Sequence, residues 1–155
     1  MALIAVPPVV WHASRANVDR PTLGGRTVGD NHNNSGLGLF CATKAEPYIS
    51  GFGDVIFKLH LIENPKVLPM TISELSQMSF QKQLGEYASR KWFEDQGAHW
   101  AKDYDVIALV EINDDVGQVI VLHDEAIVSC DKLSKEEYMM YCSSLSRSPS
   151  LRSRM

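Results

Sequence analysis

The run Val106-Ile107-Ala108-Leu109-Val110-Glu111-Ile112, then Asn113-Asp114-Asp115-Val116-Gly117, then Gln118-Val119-Ile120-Val121-Leu122, constrains this chain most. Two apolar stretches rich in β-branched residues around a polar turn predict a β-hairpin. The first arm is almost unbroken apolar, so it has no polar face to turn toward water and must be covered on both sides. Such a hairpin belongs in the middle of a sheet, and the rest of the chain has to supply its neighbours.

Three further segments read as strands. Val10-Trp11-His12-Ala13-Ser14-Arg15 and Gly36-Leu37-Gly38-Leu39-Phe40-Cys41-Ala42 have the character of buried strands, and residues 53–62 form a third that stops at Asn64-Pro65. Residues 16–35 mix Asn, Gly, Asp, Arg and Pro without apolar periodicity and read as a long loop, a kind of segment that often carries function. Thr71 with Glu74 is a capping box, and Leu75, Met78, Leu84, Tyr87, Ala88 and Trp92 recur at helical intervals up to Gly97, predicting one or two helices with a break at Gly85. Ser134 with Glu137 is a second capping box, opening a short helix through Tyr141. Residues 143–155 are Ser/Arg-rich and too poor in apolar side chains to repay ordering, so one domain over 1–142 and a disordered tail are expected.

Composition narrows the class. A length of 155 residues with 45% hydrophobic content supports one core without disulfides or metal. Cys41, Cys130 and Cys142 are odd in number and lack paired short spacing, which fits reduced thiols in a cytoplasm-like compartment and no zinc site. A net charge of -4 argues against gripping nucleic acid by bulk electrostatics. Residues 1–8 are apolar but lack a basic flank, and Pro7-Pro8 interrupts them, so neither a secretion signal nor a membrane span is expected.

The first strand carries His12 beside Trp11, and the second carries closely spaced glycines. That combination brings an imidazole and bare backbone against a flat, polar small molecule. Together with Ala45-Glu46-Pro47-Tyr48 and Gly117-Gln118-Val119-Ile120-Val121-Leu122, these segments resemble, in that order, the landmarks of the ADP-ribosyltransferase fold, in its poly- and mono-ADP-ribosyltransferase and diphtheria-toxin-like branch. The similarity spans roughly residues 9–129 and rests on order and spacing, since no single motif is specific alone. It implies an α+β fold, a split antiparallel β-sheet core with a few flanking helices. It also implies NAD as substrate without a metal, and transfer of ADP-ribose to a protein or nucleic-acid acceptor with release of nicotinamide.

The resemblance also assigns roles. His12 would hydrogen-bond the NAD ribose and the Ala13 backbone would hold the nicotinamide carboxamide, Ala13 standing where the family usually has glycine. Tyr48 would stack on nicotinamide and Phe40 would offer a second aromatic face, each such contact with a pyridinium contributing about 0.5 to 2 kcal/mol. Ser14 and Gly38 complete the implied NAD-binding set. Read as residues alone, His12, Phe40 and Tyr48 also fit ordinary core positions.

Gln118 is the main departure, because the family's motif normally has glutamate there. A carboxylate at that place stabilises the oxocarbenium-like charge that grows as the bond to nicotinamide stretches. Glutamine keeps an acceptor oxygen and loses the charge, at a cost of about two orders of magnitude in rate. Asp114 and Asp115 suit a turn for backbone reasons, Glu111 on the preceding strand faces either way, and Glu46 beside Tyr48 suits a solvated rim. None of the four is assigned to the missing role. Two alternatives therefore stay open: a weak or inactive NAD or ADP-ribose binding or interaction module, and an NAD glycohydrolase or RNA 2'-phosphotransferase-like enzyme using Arg15, Arg20 and Arg26. His60, His99 and His123 read as structural or surface residues. A small transferase-like domain of this kind would suit an effector or toxin, by analogy of fold.

Overall fold

The computed structural model describes residues 5–14, 21, 36–81, 86–87, 89–111, 113 and 115–146. In chain order these form β1 (Val9–Ser14), β2 (Leu39–Ala42), β3 (Val55–Leu61), β4 (Val67–Thr71), α1 (Ile72–Ser79), β5 (Phe80–Gln81), β6 (Glu86–Tyr87), α2 (Arg90–Trp100), β7 (Val106–Val110), β8 (Val116–Val121), β9 (Ile127–Ser134) and α3 (Lys135–Ser146). Single 3-10 segments lie at Pro47–Phe52 and Asp124–Ala126. The fold is α+β. One sheet of seven strands runs β4-β7-β8-β2-β1-β3-β9, and β5 pairs with β6 apart from it.

The hairpin lies inside the sheet, as its apolar first arm requires. β7 is buried along its whole length between β4 and β8. All pairings in the large sheet are antiparallel except β4 with β7. Neither β4 nor β9 stood out in the sequence. β4 holds Pro69, which a rim strand tolerates because one side of its backbone has no partner strand. β9 alternates weakly because most of its side chains remain accessible.

A flat sheet is impossible with this connectivity. Val121 pairs with Leu39 at one end of the strands, whereas Ile127 pairs with Leu61 at the other end, four strands away. Across a flat sheet that diagonal would be about 28 Å, while six residues reach at most about 20 Å. The sheet therefore coils strongly, and one of its faces closes on itself. Val10, Phe57, Leu59, Val106, Val119 and Val121 are completely buried there, together with Ala126 of the crossover.

The outer face is covered in two separate packs. α1 and α2 bring Leu75 and Phe93 onto Met70, Ile107, Leu109 and Ile120. α3 brings Tyr138 and Cys142 onto Trp11, Ile49 and Ile56. Both expected capping boxes are present: Glu74 N–H donates to Thr71 Oγ1 and Thr71 N–H to Glu74 Oε1, each at 3.0 Å, and Ser134 and Glu137 exchange bonds of 2.9 and 3.1 Å. The helical stretch expected up to Gly97 is two helices, and Tyr87 lies in a strand. Phe80 ends α1 in extended backbone and α2 restarts at an N-cap, Ser89, whose Oγ accepts from Trp92 N–H at 3.2 Å. α3 is longer than expected and runs on through Ser146, into the stretch read as tail. Arg15, most of the 16–35 loop, Gly85, Asp114 and residues 147–155 lie outside the described residues.

Candidate functional site

The sheet is weakest between β1 and β2, where a single pair, Trp11 with Ala42, joins two otherwise fully paired halves. His12 sits at that split. Its Nδ1 is 2.9 Å from the Phe40 carbonyl oxygen. A carbonyl only accepts, so Nδ1 carries the proton and the ring's other nitrogen is left as the acceptor in the neutral form. A side chain thus bonds a strand carbonyl at the place where the ladder stops.

Register places the other sequence-chosen residues. Trp11 opposes Ala42, Ala42 opposes Gln118 and Gln118 opposes Leu109, so these four share the outer face. Strand alternation puts Ala13 on that face as well, and puts His12 and Ser14 on the other. His12 therefore lies on the opposite face of the sheet from Ala13, Ala42 and Gln118. Gln118 is exposed, on a strand whose last three residues are buried. Ala13 and Ala42 are partly buried against the α3 pack.

Tyr48 lies on the 3-10 segment after Pro47 and is 59% exposed, its ring edge-on to Phe52 at 6.3 Å. That segment is pinned below by buried Ile49 and by Ser50, whose hydroxyl donates to Pro47 O at 2.8 Å. From the other side, Tyr138 Oη donates to Glu46 O at 2.8 Å. Tyr48 thus projects from a well-held base beside the α3 pack, with its ring in solvent.

Two of the chosen residues have packing roles. Phe40 packs in the apolar group with Leu37, Ile107 and Ile120. Gly38 is fully enclosed, and a Cβ there would run into the Val121 carbonyl oxygen and come within 2.8 Å of Ile120 Cγ2. Its smallness serves the approach of β8. Trp11 is likewise structural, packed on Tyr138 and Tyr141 at 5.6 and 5.2 Å with Lys58 Nζ 5.8 Å from its ring.

No protein-family model, curated protein or solved structure matches this chain. Its geometry alone must carry a functional reading. Among the described residues no group of His, Cys, Asp or Glu is arranged to hold a metal ion, and no helix is long and apolar enough to cross a membrane.

Sequence reasoning missed two polar features. His123 Nε2 lies 2.7 Å from Asp105 Oδ1, a pair read from sequence only as a lone histidine near an element end. The carboxylate of Glu111 lies over Gly117 beside Gln118. A β-bulge signal, glycine within an otherwise β-branched strand, was present at Gly117 and could have found the second.

Proposed function

We propose that this protein binds NAD at the split between β1 and β2 and transfers its ADP-ribose to a protein or nucleic-acid acceptor, releasing nicotinamide. The observation that carries the reading is His12 at the broken ladder, with Nδ1–H held by Phe40 O. The fixed tautomer makes Nε2 an acceptor for a ribose hydroxyl. Ala13 beside it has a small side chain that lets a planar carboxamide approach the backbone, and exposed Tyr48 offers a π-face to the pyridinium. On this reading the ligand would lie on the outer face beside the exposed Gln118.

In the reaction, the bond between ribose C1' and the nicotinamide nitrogen breaks and its electron pair neutralises the pyridinium. The oxocarbenium-like centre then takes a lone pair from an incoming nucleophile. Protein groups contribute by orienting the ribose and by stabilising developing positive charge. A second reading, a binding module on the same surface, is favoured by the uncharged side chain of Gln118.

The test is calorimetric titration with NAD together with nicotinamide release. The wild type is expected to bind and turn over NAD, and His12→Ala to lose both. Tyr48→Ala is expected to weaken binding about tenfold, the loss of one such stacking contact. Absence of NAD binding by the wild type would overturn the reading.

A further inference from the structure

Beyond Tyr48, the 3-10 segment and α3 together present an apolar face. Phe52 is 63% exposed with its ring edge-on to that of Tyr48, and Met139 Sδ comes within 3.5 Å of the hydroxyl of Ser50, which lies between those two rings in the chain. Helical spacing makes Glu136, Met139 and Met140 neighbours on one side of α3, and Met140 is 73% exposed. A Cβ built on Gly51 would meet nothing within 4 Å, so none of the described residues lies over the segment at that point. Large apolar side chains scattered singly over a surface are ordinary; here they are gathered on two elements packed against each other.

Charge around this face selects what can cover it. Glu46 precedes the 3-10 segment, Asp54 follows it, and Glu136 and Glu137 lie in the first turn of α3. All four are exposed, and the cations on the same stretches are Lys44 and Lys135, so the balance is acidic. Among the described residues none of the four carboxylates forms an ion pair. An anionic lipid surface or a phosphate backbone is repelled by such a rim. A second copy docking through the identical face would bring carboxylate onto carboxylate.

We infer that this face docks a basic amphipathic helix of a partner protein. Its apolar stripe would lie on Phe52, Met139 and Met140, with its Lys or Arg side chains toward the carboxylates. A helix presents apolar anchors along one stripe at i, i+3 and i+4, and methionine side chains repack around anchors of varied shape. The inference stands apart from the NAD reading, in which Phe52 and the two methionines have no part.

The experiment titrates the full chain with a synthetic helix of about 15 residues, leucine and lysine placed at helical spacing, and follows fluorescence anisotropy. The controls are a peptide of the same composition in scrambled order and melting temperatures of every variant. Saturable binding of the patterned helix is expected, weakened about tenfold by Phe52→Ser and by Met140→Lys and about twofold by Glu136→Gln, with melting temperatures little changed. Val128→Ser, on the equally exposed Val128 of β9, is expected to leave binding as it is. Equal binding of the scrambled peptide, or a loss in Val128→Ser matching that in Phe52→Ser, would overturn the inference. So would self-association in sedimentation that Phe52→Ser abolishes, or flotation of the protein with vesicles of phosphatidylcholine and phosphatidylserine, since each would name a different occupant.

Discussion

Asp105 and His123 lock three segments of the sheet at one point. Asp105 Oδ1 accepts from His123 Nε2 at 2.7 Å, its Oδ2 accepts from Lys66 N–H at 2.7 Å, and its own backbone bonds Lys66 O and Leu122 N–H at 2.8 and 3.0 Å. The start of β4, the start of β7 and the end of β8 therefore share one carboxylate, which is 18% exposed. Glu125 Oε2 also lies 2.9 Å from the ring, at His123 Nδ1.

Removing that carboxylate strands a backbone N–H and an imidazole in a half-dry place. Asp105→Ala is expected to cost about 2 to 3 kcal/mol, the range for bonds to a charged group whose partners stay behind. Glu125→Ala, at an 86% exposed side chain, is expected to change stability by less than about 0.5 kcal/mol. Urea denaturation of the two variants checks the contrast, and equal losses would show that the Asp105 bonds do not hold the segments.

Gly38 separates packing from ligand binding. A methyl there collides with the Val121 carbonyl, so Gly38→Ala is expected to destabilise the fold by about 1 to 3 kcal/mol, as overpacking does. A variant with wild-type melting temperature and lost NAD binding would show instead that the position serves the ligand.

Tyr138 joins α3 to the base of Tyr48. It is completely buried and its hydroxyl reaches Glu46 O. Tyr138→Phe keeps the ring and leaves that carbonyl without its donor, an expected loss of about 1 to 2 kcal/mol. Tyr138→Ala adds a cavity, for an expected total of about 3 to 5 kcal/mol. Thermal unfolding of both variants measures the hydroxyl and the ring separately.

Alkaline pH should weaken the fold through two buried acids. Burial pushes the Cys41 thiol well above its ordinary value of 9.0, and burial also pushes the Tyr138 hydroxyl above 10.0. Above those ordinary values the unfolded chain releases protons that the folded chain retains, so stability falls as pH rises. Full stability is expected below about pH 9, with progressive loss above it. Urea midpoints between neutral pH and pH 11 check this, and Cys41→Val should remove the earlier part of the decline.

What was legible in the sequence was what depends on neighbours along the chain. The unbroken apolar arm from Val106 fixed a central strand because it had no polar face, and Thr71 with Glu74 and Ser134 with Glu137 marked helix starts through bonds spanning three residues. β4 stayed hidden because Pro69 is acceptable only at a rim, and whether a strand is at a rim is a property of the whole sheet. The end of α3 was hidden for a related reason: the helix extends to Ser146 although its later turns have few apolar residues, since its buried face is anchored earlier by Tyr138 and Cys142.

The candidate site divides in the same way. His12, Tyr48 and Gln118 could be chosen from their types and spacing, but their faces could not, because alternation is known only once register is. Tertiary structure decided that Phe40 and Gly38 serve packing, that His12 lies on the opposite face from Ala13 and Gln118, and that a bulge at Gly117 sets the Glu111 side chain over that glycine. Local patterning specifies strands and caps through short-range bonds and burial; which residues share a face follows from pairings between segments dozens of residues apart, and those are settled only when the coiled sheet closes.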